Sequence, residues 1–509
     1  MSITRLQEKG EIGAKPEIES NSAANIATTK KPIKTLEAAI FWLFVSGLGW
    51  VPFWNGSNEL IAWGINAILF PGLAAVYEVT GLIRGQSHSI GLRAIALPAG
   101  LFAAVAFWTF FQILGWPHSA VAHPIWEMAA GALGRPTEGS ISVNPDLTNL
   151  ALLRLLTAAA VFWTALQLCR NGLRATLLVK SLAAIGCAYA AYGLIALSVP
   201  VVRLPWLEDA IKSGTVSSTF INRNSYATYA GLGLMAIAGL AIRLYGYQVM
   251  ERATRRLAIA AAIETAGGKG AALLGAGFLI SVALLLTGSR GGVSAAGLGL
   301  FVLAVLASKR RKRRAMLSVA IILGSLSVAA LLFVFGDPLV DHLRERGISD
   351  TNRLSVYLLT IRSIIDSPFL GNGYGAFVDV FPMYRDRSLS VYGIWEQAHD
   401  TYLEIFQGLG LVFGSMLLMS VFLLVLRCLN SAMRGRENAT APCVAAAAAF
   451  LVGVHALVDF SLQIQAVALT FAAILGAGVA QAESARLALR NYKGSARSLP
   501  EGAVASVIA

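Results

Sequence analysis

Residues 271–307 read AALLGAGFLISVALLLTGSRGGVSAAGLGLFVLAVLA. Two apolar runs, 271–287 and 293–307, flank a short Gly-Ser-Arg-Gly-Gly link with one charge, Arg290. Neither run alternates polar and apolar residues as a half-buried strand would. Both read as helices passing through an apolar medium, joined by a hairpin. Working outward, the same texture repeats along the chain. The 509 residues are 56% hydrophobic and only 14% charged, against about 25% charged in ordinary soluble domains. Mean hydropathy is +0.65. A helix needs about 20 mostly apolar residues to cross the hydrocarbon core. The chain is therefore expected to be an all-α, polytopic transmembrane bundle.

About 12 spans are expected, near 37–53, 60–83, 92–114, 150–168, 177–199, 226–244, 271–287, 293–307, 317–335, 402–426, 444–460 and 466–482. Net charge is +13, but its placement matters more than its sum. With the amino terminus inside, every basic cluster falls in an inner loop. These hold Arg84 and Arg93; Arg170 and Arg174; Arg252, Arg255, Arg256 and Lys269; KRRKRR at 309–314; and Arg427, Arg434 and Arg436. Such asymmetry marks cytoplasmic loops, so both termini are expected in the cytoplasm. KRRKRR between two spans reads as a topology anchor, not a nucleic-acid signal, and no nucleic-acid partner is expected. Residues 1–35 are a polar stretch expected to be disordered, residues 36–483 the transmembrane domain, and 484–509 a short polar tail. The first apolar block begins too late for a signal peptide. The four cysteines form no CxxC pair, so neither a disulfide framework nor a zinc site is expected.

Three long loops face the outer side, at 115–149, 200–225 and 336–401. Loops of this length usually serve a function. Loop 336–401 carries six arginines, no lysine and nine acids. Arginine presents a planar fork that matches phosphate oxygens, although surface ion pairing accounts equally well for any single one. Within it, Leu354, Tyr357, Leu358, Ile361, Ile364 and Ile365 recur at helical spacing. That stripe is too short to span, so an amphipathic helix on the interface or across the bundle mouth is expected. Pro368 should end it, with a turn at GNGYG, 371–375.

Arginine within a span is costly, and glycines let backbone or ligand approach closely. Arg290 is thus a candidate anion site; the other reading, an arginine snorkelling to the interface, needs no glycine-rich setting. His399 stands at a helix start beside Asp400, near Glu396 and Glu404. It is suited to take a proton near neutral pH, although the local pattern fits a capping or interface histidine slightly better. His118 and His123 lack zinc-pair spacing, and His342 stands among charges. His455 and Asp459 read as a buried structural pair.

Four pieces taken in order carry a resemblance. They are TFINRNSYATYAGLGL (219–234), LLTGSRGG (285–292), RLSVYLLTIRSIIDSPFLGNGYGAF (353–377) and QAHDTYLEIFQGLGLVFG (397–414). Together they resemble the O-antigen ligase and Wzy-type polysaccharide polymerase superfamily across 216–414. HALVDFSLQIQA (455–466) resembles a segment of relatives tied to exopolysaccharide. The resemblance implies a GT-C-like membrane glycosyltransferase of a bacterial inner membrane. It would take a glycan from an undecaprenyl-diphosphate donor at the periplasmic face and pass it to the hydroxyl of a glycan or lipid acceptor. Catalytic roles carry over to Arg290 and Arg353, on the diphosphate, and to His399, on the acceptor. Asn222, Asn224, Arg362 and Gly373 are the candidate substrate-binding residues, with a structural role equally apt for the asparagines. No cofactor is implied, and no aspartate pair has metal spacing. From another class, a flippase or secondary transporter remains the alternative; matching halves, expected of many transporters, do not stand out.

Overall fold

The computed structural model describes residues 36–85, 90–115, 121–205, 214–250, 267–309, 347–390, 392–434 and 439–497. The expected span at 317–335, His118, His342 and most of KRRKRR lie outside them. In chain order the helices are α1 (Leu36–Trp50), α2 (Leu60–Ile83), α3 (Ala96–Ile113), α4 (Ile125–Leu133), α5 (Pro145–Leu168), α6 (Gly172–Ser198) and α7 (Arg223–Met250). There follow α8 (Lys269–Leu286), α9 (Arg290–Lys309), α10 (Gly347–Asp366), α11 (Phe377–Val380), α12 (Thr401–Met433), α13 (Thr440–His455) and α14 (Gln465–Arg497). Short 3-10 turns complete the described chain, which is all-helical apart from one isolated bridge residue at Gly139.

Among the described residues, eight helices are long and apolar enough to cross a membrane. The shorter apolar helices Leu36–Trp50, Gly270–Leu286 and Thr440–His455 coincide with three further expected spans. This is a multi-pass membrane protein. Its outward faces are apolar: Ile68 and Ile83 are each 79% exposed and Phe278 72%. Leucine and isoleucine facing out in this way suit lipid, not water.

Two helices form the axis of the bundle. The spanning windows of α7 and α14 are 72% and 83% buried, against 22% for that of α3. Small residues explain why. The helices that meet here read YAGLGLMAIAGL, CVAAAAA and AVALTFAAILGAGVA, and without bulky side chains helix backbones approach closely. A methyl placed on Gly239 of α7 would sit 2.2 Å from Val444 of α13. Around this axis, α14 packs on α5 and α13, α7 on α6, α8, α9 and α13, and α12 on α3 and α13.

The two ends of the bundle differ. At one end Arg170 and Arg174 pair with Glu37, Gln481 donates to the Cys169 carbonyl, and Arg427 pairs with Glu483 and donates to Ala94. At the other end α7, α9, α12 and α14 begin, α8 and α13 finish, and α10 packs across the start of α12. The short helix expected in loop 336–401 is present as α10, followed by a turn at Pro368.

That turn does more than end α10. It pairs with a break in α12 at Gly410, whose backbone is extended and of positive φ (75°, ψ 170°). Asn372 N–H donates to the Gln407 carbonyl (3.0 Å), Gly373 N–H to Gly408 (3.2 Å), and Leu411 N–H to Pro368 (2.7 Å). Gln112 at the end of α3 closes the joint, donating to the carbonyls of Leu370 and Gly408 (both 2.8 Å). Carbonyls freed by the helix break are thereby satisfied, as buried backbone requires.

A candidate glycosyl-transfer site at the start of α9 and α12

Arg290 is the first residue of α9, and the local sequence puts it there. Ser289 caps the helix: its hydroxyl accepts from Gly292 N–H (3.2 Å), and its carbonyl from Val293 N–H (3.0 Å). A serine at this position is a favoured cap. Gly288 turns the chain with φ 62°. Arg290 itself is exposed, at a helix N-terminus, where backbone dipoles favour a negative charge.

The next residue, Gly291, faces the ring of His455. A methyl there would stand 3.1 Å from Cδ2 and Nε2 of the His455 ring. His455 ends α13 and is 2% exposed. Its Nδ1 lies 2.5 Å from the Thr228 hydroxyl of α7, which also donates to Ser461 (2.9 Å). Asp459, fully buried, accepts from the Ser461 hydroxyl and from Asn224 Nδ2 (3.3 Å). The expected buried pair is thus buried, but each member is bonded into a wider network between α7 and the α13–α14 link.

His399 lies on the other flank of that link. Its ring meets Phe460 edge-on at 5.0 Å and Trp395 at 5.8 Å. The backbone of His399 is left-handed, with φ 59°. For a residue with a side chain this costs about 1–3 kcal/mol and persists only when surroundings impose it. Those surroundings are visible. Tyr357 of α10 donates to the His399 carbonyl (3.0 Å), Asp400 caps α12 by accepting from Tyr402 and Leu403 N–H, and Thr401 N–H donates to Ala456 (2.9 Å). Imidazole Nδ1 of His399 is buried with no hydrogen-bond partner among the described residues.

Arg353, half-buried on α10, lies one turn before Tyr357. Its charge reaches both His399 and His455. Burial first, and the Arg353 guanidinium second, hold the His399 imidazole below the ordinary histidine value; the Asp459 carboxylate pulls the other way. The neutral form is therefore favoured, and a neutral imidazole can accept a proton.

The remaining candidates fall into place unequally. Asn224 joins the cluster through Asp459, while Asn222 caps α7 by accepting from Asn224 N–H (2.7 Å). Arg362 is exposed further along α10, within electrostatic reach of Tyr384 and Asp386. Gly373 is buried in the α12 joint, where a methyl would come 2.2 Å from the Ser142 hydroxyl. His123 is half a loop away, its Nδ1 accepting from Ile125 N–H (3.2 Å), and burial lowers its pKa. Among the described residues no three His, Cys, Asp or Glu side chains come together as a metal set.

Sequence reasoning missed Thr228, Ser461 and Arg223 as parts of this neighbourhood. Arg223 opens α7, and its guanidinium stands 3.4 Å from a methyl built on Gly288. It lies between the two asparagines that the motif pointed to, so the signal was present in NRN itself. Thr228 and Ser461 carry no such signal, because hydroxyls are common within apolar helices.

Behind the His399 segment, α3, α5, α12, α13 and α14 line an open cavity of about 1160 Å³. Its wall is mainly leucine, phenylalanine and alanine, with Arg154, Tyr374, Glu404 and Gln463 among its polar members. Gln397 and Thr401, two residues to either side of His399, line it as well.

The arrangement defines a class: a helical membrane protein with arginines and largely buried histidines at one end of its bundle. Residues 275–419 match the family model described as O-antigen ligase. Over this stretch, from α8 into α12, the chain is similar to the O-antigen ligase family, in keeping with the resemblance read from the sequence. The stretch holds Arg290, Arg353, Arg362, Gly373 and His399, and leaves Asn222, Asn224, His455 and Asp459 outside. No curated protein matches the chain.

Proposed function

We propose that the protein transfers a glycan from an undecaprenyl-diphosphate donor to an acceptor hydroxyl at the outer face of a bacterial inner membrane. Arg290 and Arg353 bind the diphosphate; His399 takes the proton of the attacking hydroxyl. The new glycosidic bond forms at the anomeric carbon as the bond to the diphosphate oxygen breaks, and undecaprenyl diphosphate leaves with its electron pair.

One observation carries this reading. A histidine held in a costly backbone conformation, with a ring nitrogen that has no partner among the described residues, faces the charge of Arg353. Strain of that kind is retained where function needs a fixed group. The negative charge that grows on a departing diphosphate is what preorganised guanidinium groups stabilise most. No nucleotide is required, since the donor bond is already activated. The large cavity supports the same reading: its apolar wall suits an isoprenoid chain, and its Gln397 and Thr401 rim adjoins His399.

The test uses purified protein, a lipid-diphosphate-linked oligosaccharide and an added acceptor. His399→Ala is expected to lower acceptor turnover by about 10²–10⁴-fold, the range for losing a general base. Unchanged turnover rejects the base role. The glycan profile of a deletion strain separates the two branches of the family: single repeat units on the acceptor indicate a lost polymerase, and unattached long chains a lost ligase.

A further inference from the structure

Glu404 is a carboxylate with no place in the chemistry above. It sits on the first turn of α12 and is only 8% exposed. Its Oε1 accepts from Ala398 N–H at 2.6 Å. Its Oε2 accepts from Gln463 Nε2 at 2.5 Å. The Gln463 carbonyl in turn accepts from Arg154, whose guanidinium lies over the Trp63 ring at 4.5 Å. A buried chain therefore runs from α2 through α5 and the α13–α14 link to the residue preceding His399.

We propose that Glu404 is a positioning residue, whose side-chain oxygen grips the Ala398 peptide and so holds His399 in its left-handed backbone. The inference rests on the reading of His399 as the group that takes the acceptor proton. The geometry explains how. Asp400 caps α12 and fixes the chain after His399; Glu404 fixes the chain before it. With both neighbours tied to the same helix turn, the chain must reverse at residue 399, and a positive φ provides that reversal. The bond to Ala398 N–H is short, at 2.6 Å, and burial leaves neither partner another to turn to. Ala398 is fully buried, so its N–H has no water to fall back on. Gln463 makes the clamp two-sided, since it also anchors the link that carries Asp459 and Phe460.

The test uses the full chain in lipid nanodiscs, labelled in its six histidines, with the His399 signal assigned by its absence in His399→Gln. Glu404→Ala is expected to move the His399 titration up toward the ordinary histidine value. It should also speed modification of His399 by diethyl pyrocarbonate several-fold, with the donor KM unchanged and kcat reduced about 10–100-fold. Glu404→Gln keeps an acceptor for Ala398 N–H and should restore most of the wild-type titration and turnover. If Glu404→Ala does not accumulate, Gln463→Ala is read in its place, with a smaller shift in the same direction. His399 titration and modification unchanged in the variant read overturn the proposal, as does a Glu404→Gln protein as altered as Glu404→Ala. Titration and modification need no substrate, so a wild-type protein that fails to transfer glycan sinks the functional reading without touching this one.

Discussion

Two glycine-rich segments of this chain look alike as sequence and serve opposite ends. In TGSRGG, 287–292, the glycines clear space around functional side chains: Gly291 admits the His455 ring, and Gly288 stands beside the Arg223 guanidinium. In GNGYG, 371–375, with GLG at 408–410, Gly371, Gly408 and Gly410 clear space for backbone. A methyl on Gly371 would lie 2.3 Å from the Gly408 carbonyl oxygen, and one on Gly410 2.4 Å from that of Phe369. Side chains can shift by a few tenths of an ångström. A carbonyl held in a paired backbone cannot. The first segment borders the candidate site and the second is a joint, and composition alone does not distinguish them.

Substitutions should separate the two sharply. The largest effect is expected in the joint. Gly371→Ala and Gly410→Ala each add a clash with backbone to a positive φ, and should cost about 3 kcal/mol or more, read as loss of folded protein by thermal unfolding in detergent. Either variant folding as stably as wild type would remove the distinction. Next comes Arg290→Ala. The residue is exposed, so unfolding temperature should hold while transfer falls by about 10²–10³-fold, the range for removing one preorganised donor. Gly291→Ala sharpens the comparison, because its methyl meets a ring and not backbone at 3.1 Å. It should lower transfer by about tenfold while costing no more than about 1 kcal/mol.

The smallest effect concerns pH. His399 is held below the ordinary histidine value by burial and by Arg353. The active form is the neutral one, so transfer should be flat at neutral pH and fall only as pH drops through that lowered value. Arg353→Gln removes a positive neighbour, which raises the His399 pKa. The acid limb of its residual activity should therefore move to higher pH. A limb that stays in place would mean that Arg353 does not act on His399.

Much of the fold was legible because transmembrane helices announce themselves by composition. Eleven of the twelve expected spans meet a described apolar helix; the other, at 317–335, lies outside the described residues. What composition could not give was the interior break at Gly410. LEIFQGLGLVFG reads as continuous helix until its carbonyls are seen bonded to 372 and 373. Arg290 stood out because it departs from its apolar setting, whereas Arg353 and His399, each among charged neighbours, were marked by the family resemblance and not by local pattern. His455, Asp459 and Asn224 were visible as residues but not as a unit. Their union depends on α7 meeting the α13–α14 link, a contact between segments more than two hundred residues apart. Gly373 was singled out by its motif, and its place in the joint is a matter of three-dimensional pairing that no local pattern announces.

The most direct measurement follows the donor. Wild-type protein and Arg290→Ala, each in nanodiscs, are given the same undecaprenyl-diphosphate-linked oligosaccharide and acceptor, and free undecaprenyl diphosphate is quantified by mass spectrometry. Wild type should release it in step with glycan appearing on the acceptor, and Arg290→Ala should release almost none while remaining folded. Donor recovered intact from the wild-type reaction, or equal release by both proteins, contradicts the assignment of Arg290 to the diphosphate of a glycosyl transferase.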